Sequence, residues 1–278
     1  MNIRDIVARA LAEDLGAGDV TTQALFPESV PAVGTIVVEE RDGLVIAGLA
    51  VAVEVFRQVD ASLTCSPNVA DGDFVPQGTT ALTVTGDGRS ILKSERVALN
   101  FLQRLSGIAT LTAKFCEAVK GTRARILDTR KTTPGLRALE KLAVTLGGGH
   151  NHRHSLADGI LIKDNHLALA GGDVARACRL VRERAPHGLK IEVEVRTLED
   201  VRAARDGGAD IILLDNMDVP SIRKAVEEIK GRALVEVSGG VSLATVREIA
   251  AAGPDYISVG ALTHSAPAAN LSMDIIPR

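Results

Sequence analysis

The sequence predicts an α/β protein whose C-terminal part is a parallel α/β barrel, and three observations support that fold class. From about residue 91 onward, short apolar runs alternate with helical stretches. Apolar residues make up 46% of the 278-residue chain and aromatic residues only 2%, so the core is built largely from Ala, Val, Leu and Ile. Such cores are typical of parallel sheets that helices cover on both faces. Six strand-like runs separated by helices also imply parallel pairing through right-handed crossovers.

The N-terminal part has a different pattern and predicts an α+β sandwich domain. Apolar residues from Ile3 to Leu11 share one face of an opening helix, which is expected to end at a glycine-containing segment beginning with Gly16. Two strand-like runs flank Arg41-Asp42-Gly43 and predict a hairpin, and a helix is expected over about residues 49–59. The predicted domains are a sandwich over 1–107, a barrel over 108–265, and a tail, 266–278, that packs back on the sandwich.

The barrel elements are expected in the order of repeated strand–helix units. Two amphipathic helices, from Ile91 to Leu105 and from Thr110 to Val119, lead into them. The six strand-like runs are ARILDT, GILIK, KIEVEV, DIILLD, ALVEVS and YISVG. Helices are expected near residues 136–144, 173–184, 198–208, 219–230 and 243–252. Because active sites of such barrels form at the carboxyl ends of the strands, the residues there should converge on one mouth. These residues are Asp128 to Lys131, Lys163, Glu194, Asp215, Ser238 and Gly260.

Basic residues are concentrated in one stretch of an acidic protein. Residues 123–166 contain eight Lys/Arg, four Asp/Glu and four of the six histidines, although the formal net charge of the chain is -3. This pattern favours a small anionic ligand over a nucleic acid. Guanidinium groups bind carboxylates or phosphates with two hydrogen bonds, so a cluster of cations could hold a ligand with several negative charges. The cluster comprises Arg130, Lys131, Arg153 and Lys163, with His152 beside them, whereas Arg96 on its amphipathic helix is by itself typical of a surface or interface.

Two further patterns indicate phosphate and metal binding. Ser238-Gly239-Gly240 lies between a strand and a predicted helix, where backbone N–H groups and the helix dipole favour an anion, and Gly260 could supply a second backbone donor. Glu194 and Asp215 end neighbouring strands, and two carboxylates with substrate oxygens and waters suit Mg²⁺. A salt bridge to Lys163 is an alternative role. Strand alternation puts Glu192 and Glu194 on one face, so the sequence does not decide which one reaches the ligand.

Other protein classes fit the sequence less well. His150, His152 and His154 have a spacing known for zinc ligands, but a metallohydrolase barrel would need further His or Asp ligands from later strands. The longest apolar run, Leu44–Val53, has ten residues, whereas a membrane-spanning helix needs about 20. The N-terminus lacks the pattern of a signal peptide. Three dispersed cysteines outside any Cys-x-x-Cys motif fit thiols of a cytoplasmic protein.

Several strings in order closely resemble the quinolinate phosphoribosyltransferase family over nearly the whole chain. They are EDLGAGDVTT, SERVALNFLQRLSGIATLT, ILDTRKTTPGLRALEK, GGGHNHRHSLADGILIKDNH, EVEV, LLDN, VSGG and YISVGALTHS. The resemblance implies an N-terminal sandwich domain and an open, largely seven-stranded barrel, assembled as a homodimer with shared active sites. It implies transfer of a phosphoribosyl group from phosphoribosyl pyrophosphate to quinolinate with decarboxylation. The products are nicotinate mononucleotide, pyrophosphate and CO₂ in NAD biosynthesis.

The resemblance also implies a role for each matching residue. Arg96 reaches quinolinate from the neighbouring subunit. The quinolinate pocket is lined by Arg130, His152 and Arg153, with Thr129 and Lys131 beside it. Lys163, Glu194 and Asp215 face the ribose and the magnesium pyrophosphate, while Ser238, Gly239, Gly240 and Gly260 hold the 5-phosphate. The expected catalytic residues are Lys131, Lys163, Glu194 and Asp215. His154 departs from the family pattern, which has a glycine there. Two alternatives remain open at this point: a paralogue of the same fold associated with molybdenum uptake, and a non-catalytic anion-binding barrel.

Overall fold

The computed structural model of the protein describes residues 2–278. Contacts divide the chain into two compact units. The first unit consists of the residues up to Ala113, Thr132–Gly148 and Thr263–Arg278, and the second of Lys114–Lys131 and Gly149–Leu262. These units are defined by contacts alone, and the domain bounds 1–107 and 108–265 stay a prediction.

The chain contains eleven helices and twelve strands among the described residues. In chain order they are α1 (Ile3–Leu15), α2 (Val20–Leu25), β1 (Pro31–Val38), β2 (Leu44–Val45), α3 (Leu49–Val59), β3 (Thr64–Pro67), β4 (Phe74–Val75), β5 (Thr80–Asp87), α4 (Gly88–Ala118), β6 (Arg125–Leu127), α5 (Arg137–Leu146), β7 (Ile160–Ile162), α6 (Asp164–Leu169), α7 (Val174–Arg184), β8 (Ile191–Val195), α8 (Leu198–Asp206), β9 (Ile211–Asp215), α9 (Val219–Ile229), β10 (Leu234–Ser238), α10 (Val246–Ala251), β11 (Tyr256–Ser258), α11 (Ala261–His264) and β12 (Leu271–Pro277). No helix among them is both long and apolar enough to span a membrane.

The first unit is built on a four-stranded antiparallel sheet in the order β12-β1-β5-β3. The predicted hairpin around Arg41-Asp42-Gly43 is wrong. Both edges of β1 are already occupied by β12 and β5, so β2 pairs instead with β4 in a separate two-stranded sheet. The strand β12, from the C-terminal tail, lies antiparallel to β1 over Ala32–Val38.

The long helix α4 replaces the two helices predicted between Ile91 and Val119. Gly107 lies in its interior and does not end it. A Cβ atom at this position would lie 2.0 Å from the carbonyl oxygen of Pro267, which shows that the glycine allows close packing against the chain near the C-terminus.

The second unit contains a parallel sheet of six strands in the order β6-β11-β10-β9-β8-β7. The six strands expected from the sequence are confirmed. The seventh strand expected from the resemblance is replaced by a single bridge between His150 and Leu127. Two backbone hydrogen bonds join His150 to Ile126 and Asp128, as in a pair of parallel strands. In a longer pair, the N–H of His152 would donate to the backbone carbonyl of Asp128. It donates instead to the side-chain carboxylate of Asp128. A side chain therefore ends the pairing.

Candidate active site

One cavity of about 410 Å³ in the second unit brings nine of the predicted site residues together. They are Thr129, Arg130, Lys131, His152, Arg153, Lys163, Glu194, Asp215 and Ser238. Because side chains alternate across a strand, Glu194, Asp215 and Ser238 all point to the same side at the carboxyl ends of β8, β9 and β10. The cavity thus lies where a parallel barrel usually holds its active site.

Two guanidinium groups give part of this cavity an excess of positive charge. Burial lowers the pKa of Arg153, and the positive charge of Arg130 lowers it further. Arg153 donates to the carbonyl oxygen of Gly159 at 2.8 Å, while the buried Nε of Arg130 has no hydrogen-bond partner among the described residues. An anion bound here would satisfy that donor and relieve the repulsion between the two groups.

His152 lines the same cavity, and its contacts fix the orientation of its ring. Its Nδ1 accepts a hydrogen bond from the backbone N–H of Arg153 at 2.8 Å, so the ring proton must be on Nε2. Nε2 lies 3.0 Å from an oxygen of Glu192 and donates to it. The backbone N–H of His152 donates to the fully buried Asp128 at 2.8 Å. These three contacts orient the ring.

The acidic part of the cavity contains carboxylates that are paired with cations. Glu194 lies 3.3 Å from Nζ of Lys163, which is the salt bridge considered as an alternative from the sequence. Asp215 lies 3.0 Å from Nε of Arg196, and Arg196 also contacts Asp164 at 3.2 Å. Arg196 was not among the predicted site residues. Its position directly after the strand-like run KIEVEV, at the carboxyl end of β8, is the sequence signal that could have identified it.

The carboxylates of Glu194 and Asp215 fit a magnesium ion that is bound together with phosphate. Mg²⁺ is usually held by one or two protein carboxylates, and waters and substrate phosphates complete its coordination. Both carboxylates face one cavity that also contains Lys131 and Lys163, where a phosphate-rich ligand would be stabilised. The donor set is therefore suitable, and the ion would share these carboxylates with the neighbouring cations.

The three alternating histidines, which the sequence already disfavours as a zinc site, do not share the strand face that such a site would need. His150 and His154 are exposed, and the three residues do not share a strand. The backbone N–H of His154 donates to Asp158 at 2.7 Å, in a loop that turns away from strand geometry. Of the three, only His152 belongs to a group of potential metal ligands found among residues 2–278, together with Glu192 and Glu236.

The glycine loop after β10 differs from the prediction in one respect. The next helix, α10, begins only at Val246, so no helix N-terminus adjoins Ser238-Gly239-Gly240, and the dipole argument for phosphate binding does not apply. Both glycines have positive φ, +96° and +61°. Gly239, Gly240 and Gly260 follow strands at the same sheet edge but are not among the described residues that line the cavity. Arg96 is exposed on α4 and belongs to the first unit.

Glu192 and Glu236 are buried acidic residues at the base of the cavity. They are 4% and 1% exposed, respectively, and Glu236 lines the cavity while Glu192 contacts His152. Glu236 was not among the predicted site residues. Its signal in the sequence is a charged residue in the middle of the otherwise apolar run ALVEV.

Comparisons with known proteins agree over the whole chain. Family models described as the N-terminal and C-terminal domains of quinolinate phosphoribosyl transferase match residues 19–106 and 108–274. The nicotinate-nucleotide pyrophosphorylase [carboxylating] of Mycobacterium leprae is 45% identical over 278 residues, covering 98% of this chain and 96% of that protein. The probable enzyme of the same name from Bacillus subtilis is 39% identical, covering 99% and 94%. The crystal structure of NadC from Streptococcus pyogenes superposes with a TM-score of 0.94 at 42% identity, covering 99% and 97%.

Proposed function

This chain belongs to the quinolinate phosphoribosyltransferase family, and on that premise we propose that it converts quinolinate and phosphoribosyl pyrophosphate into nicotinate mononucleotide, pyrophosphate and CO₂ in NAD biosynthesis. The main support for this proposal is the distribution of charged residues in one cavity. A single cavity combines Arg130 and Arg153, which repel each other, with Lys163, Glu194 and Asp215. This charge distribution suits a dicarboxylate beside a pyrophosphate.

The cavity residues can support the reaction by alignment and electrostatics alone. Arg130 and Arg153 bind the two carboxylates of quinolinate and orient its ring nitrogen toward the anomeric carbon of the ribose. Pyrophosphate leaves that carbon with its bonding electrons, and Lys131 and Lys163 stabilise the negative charge that develops. The ring nitrogen then becomes positively charged, so the adjacent carboxylate is lost more easily. No covalent nucleophile from the protein is needed.

Magnesium is the cofactor that we propose for this site. Glu194 and Asp215 would hold the ion, and pyrophosphate oxygens and waters would complete its coordination. When bound, Mg²⁺ supplies positive charge that offsets the charge of the leaving pyrophosphate. Lys163 has a second function in this arrangement, because its contact with Glu194 keeps that carboxylate directed into the cavity.

The proposal extends to assembly and location. The exposed Arg96 of one subunit would bind quinolinate in the cavity of its partner, so the active form would be a homodimer. A cytoplasmic location is supported by three cysteines that are all free thiols, as is usual in a reducing compartment.

An assay with defined substrates tests the activity directly. Purified protein is incubated with quinolinate, phosphoribosyl pyrophosphate and Mg²⁺, and pyrophosphate, CO₂ and nicotinate mononucleotide are measured separately. We expect the three products in equal amounts, and loss of turnover when EDTA removes the metal. Nicotinate, which lacks the second carboxylate, serves as the control substrate and should give no product. Absence of turnover under every metal condition would instead favour a non-catalytic anion-binding barrel or a paralogue with another substrate.

A further inference from the structure

The interior of the barrel has a layer of buried acidic residues directly beneath the proposed active site. Glu192 lies two residues before Glu194 in β8, and Glu236 lies two residues before Ser238 in β10. Alternation therefore directs all four side chains inward, with Glu192 and Glu236 one layer deeper. These two carboxyl groups are almost completely buried, and neither is needed to hold the two substrates in the mechanism described above.

Glu236 separates two cavities. On one side it lines the cavity that contains Arg130 and Lys163. On the other side it lines a second cavity of about 530 Å³, bounded by residues at the amino ends of the strands, such as Arg125, Lys190 and Tyr256. A proton on Glu236 therefore lies between two cavities. The first is where the ring of quinolinate would react, and water can enter the second.

Hydrogen bonding determines which of the buried groups carries the proton. Nε2 of His152 lies 3.0 Å from an oxygen of Glu192 and 3.7 Å from an oxygen of Glu236, so the ring is closer to Glu192. Glu236 forms a side-chain hydrogen bond with Glu192, and one oxygen of each carboxyl group has no partner unless a proton lies between the two groups. Two adjacent buried carboxylates cannot both be ionised at low cost. Burial, followed by the charge of Glu192, raises the pKa of Glu236 to about 8. The burial of Glu236 and its contact with Glu192 therefore both favour the neutral carboxylic acid form of Glu236.

A metal ion is a less suitable occupant for this group. The ligand atoms of His152, Glu192 and Glu236 lie within 4.8 Å of one another, which would suit an ion. A histidine that binds through Nε2 needs its proton on Nδ1, however, and here Nδ1 accepts the N–H of Arg153. The tautomer therefore favours a network that carries a proton.

We propose that Glu236 is the acid that protonates the pyridine ring after decarboxylation, an inference that rests on the proposed function. The bond between the ring carbon next to nitrogen and its carboxylate breaks, and the electron pair stays on that carbon. Glu236 transfers its proton to the carbon, CO₂ leaves, and Glu236 becomes a carboxylate. Water entering the second cavity returns the proton. His152 is less suitable for this role, because its Nε2 lies within hydrogen-bond distance of Glu192.

The variant Glu236→Gln tests the proposal, because glutamine keeps the size and hydrogen-bonding capacity of the side chain but has no acidic proton. We expect the dissociation constants of both substrates to stay within about threefold of wild type, since Glu236 does not hold them. Formation of nicotinate mononucleotide should fall by about 100-fold, the usual contribution of a general acid. Pyrophosphate release in the first turnover should be nearly unaffected. Glu236→Asp, which retains an acid, should recover part of the lost rate.

The pH dependence of the reaction provides a second measurement that requires only the wild-type enzyme. Because Glu236 must carry its proton, single-turnover formation of nicotinate mononucleotide should fall as the pH rises through the raised pKa of Glu236, about 8, whereas pyrophosphate release in the same turnover should not fall with it. Mononucleotide formation that stays constant through this pH range would show that Glu236 is not the acid and would overturn the proposal, even if Glu236→Gln fails to fold. Wild-type turnover by folded Glu236→Gln, or equal loss of pyrophosphate and mononucleotide formation, would also overturn it. Failure of the proposed function itself is distinguishable, because the wild-type enzyme would then release no pyrophosphate.

Discussion

At the level of single residues, two guanidinium groups determine which ligand the cavity can hold. Arg130 and Arg153 are close enough for the charge of the first to lower the pKa of the second, and Nε of Arg130 is buried without a partner among the described residues. A ligand with one carboxylate can neutralise only one of these charges. A ligand with two adjacent carboxylates can neutralise both, which explains why quinolinate is a better fit than nicotinate.

Replacement of Arg130 by Ala should separate the binding of the two substrates. Loss of a charge-assisted hydrogen bond costs about 1.5–3 kcal/mol, so the dissociation constant of quinolinate should rise by roughly 10- to 150-fold. The dissociation constant of phosphoribosyl pyrophosphate should change by less than about threefold. Calorimetric titration of each substrate measures both values. Lys163→Ala is the matched control and should show the opposite preference; equal loss of both substrates in Arg130→Ala would contradict the division of roles.

Residues of the site differ in how far the sequence predicts them. Lys163, Glu194 and Asp215 are predictable because each ends a strand-like run, and the ends of parallel strands meet. Glu236 is not predictable in the same way, because it lies in the middle of a run and its role depends on the contact with Glu192, which lies two strands away in the sheet. The tautomer of His152 depends on a backbone N–H and on Glu192, which no sequence pattern indicates.

At the level of elements, local patterns predict helices well where one face is buried. The helix α3 has its predicted bounds, because its buried residues recur at helical spacing from Leu49 to Phe56. Local patterns fail where distant contacts decide. The sequence predicts two helices between Ile91 and Val119, but α4 is continuous and its Gly107 packs against Pro267. β2 does not pair with β1, because two other strands already occupy the edges of β1.

The glycine loop after β10 gives a prediction at this scale. A Cβ atom on Gly239 would lie 2.3 Å from Oδ1 of Asn216 and 2.9 Å from its backbone nitrogen, whereas one on Gly240 would meet nothing within 4 Å. Both positions have positive φ, so either alanine costs about 1–2 kcal/mol of folding free energy. Gly239→Ala should cost about 1–3 kcal/mol more because it also overpacks the loop. Urea unfolding measures the difference, and equal losses in the two variants would show that Asn216 moves aside freely.

At the level of the whole molecule, the order of the elements along the chain does not give their arrangement in space. The first compact unit is assembled from three separate segments, and its sheet pairs β1 with β12 although more than two hundred residues lie between them. Hydrophobic alternation predicts that each of these strands exists but contains no information on its partner. The seventh barrel strand is a similar case, because the carboxylate of Asp128 takes the hydrogen bond that would extend it. The sequence therefore predicts which segments are strands, but not which strands pair with each other.

The proposed homodimer makes a prediction that only the assembled protein can answer. If Arg96 of the partner subunit completes each cavity, Arg96→Ala and Lys163→Ala chains are both inactive alone but complement each other. In a verified heterodimer one cavity carries both defects and the other carries neither, so about half of the wild-type activity should return for a twofold-symmetric dimer. The matched control combines Arg130→Ala with Lys163→Ala chains. Both of these residues line the cavity of their own chain, so every cavity keeps one defect and no activity should return. Recovery in neither mixture would mean that Arg96 acts within its own subunit or not at all, and recovery in both would mean that the gain does not depend on Arg96 crossing between subunits.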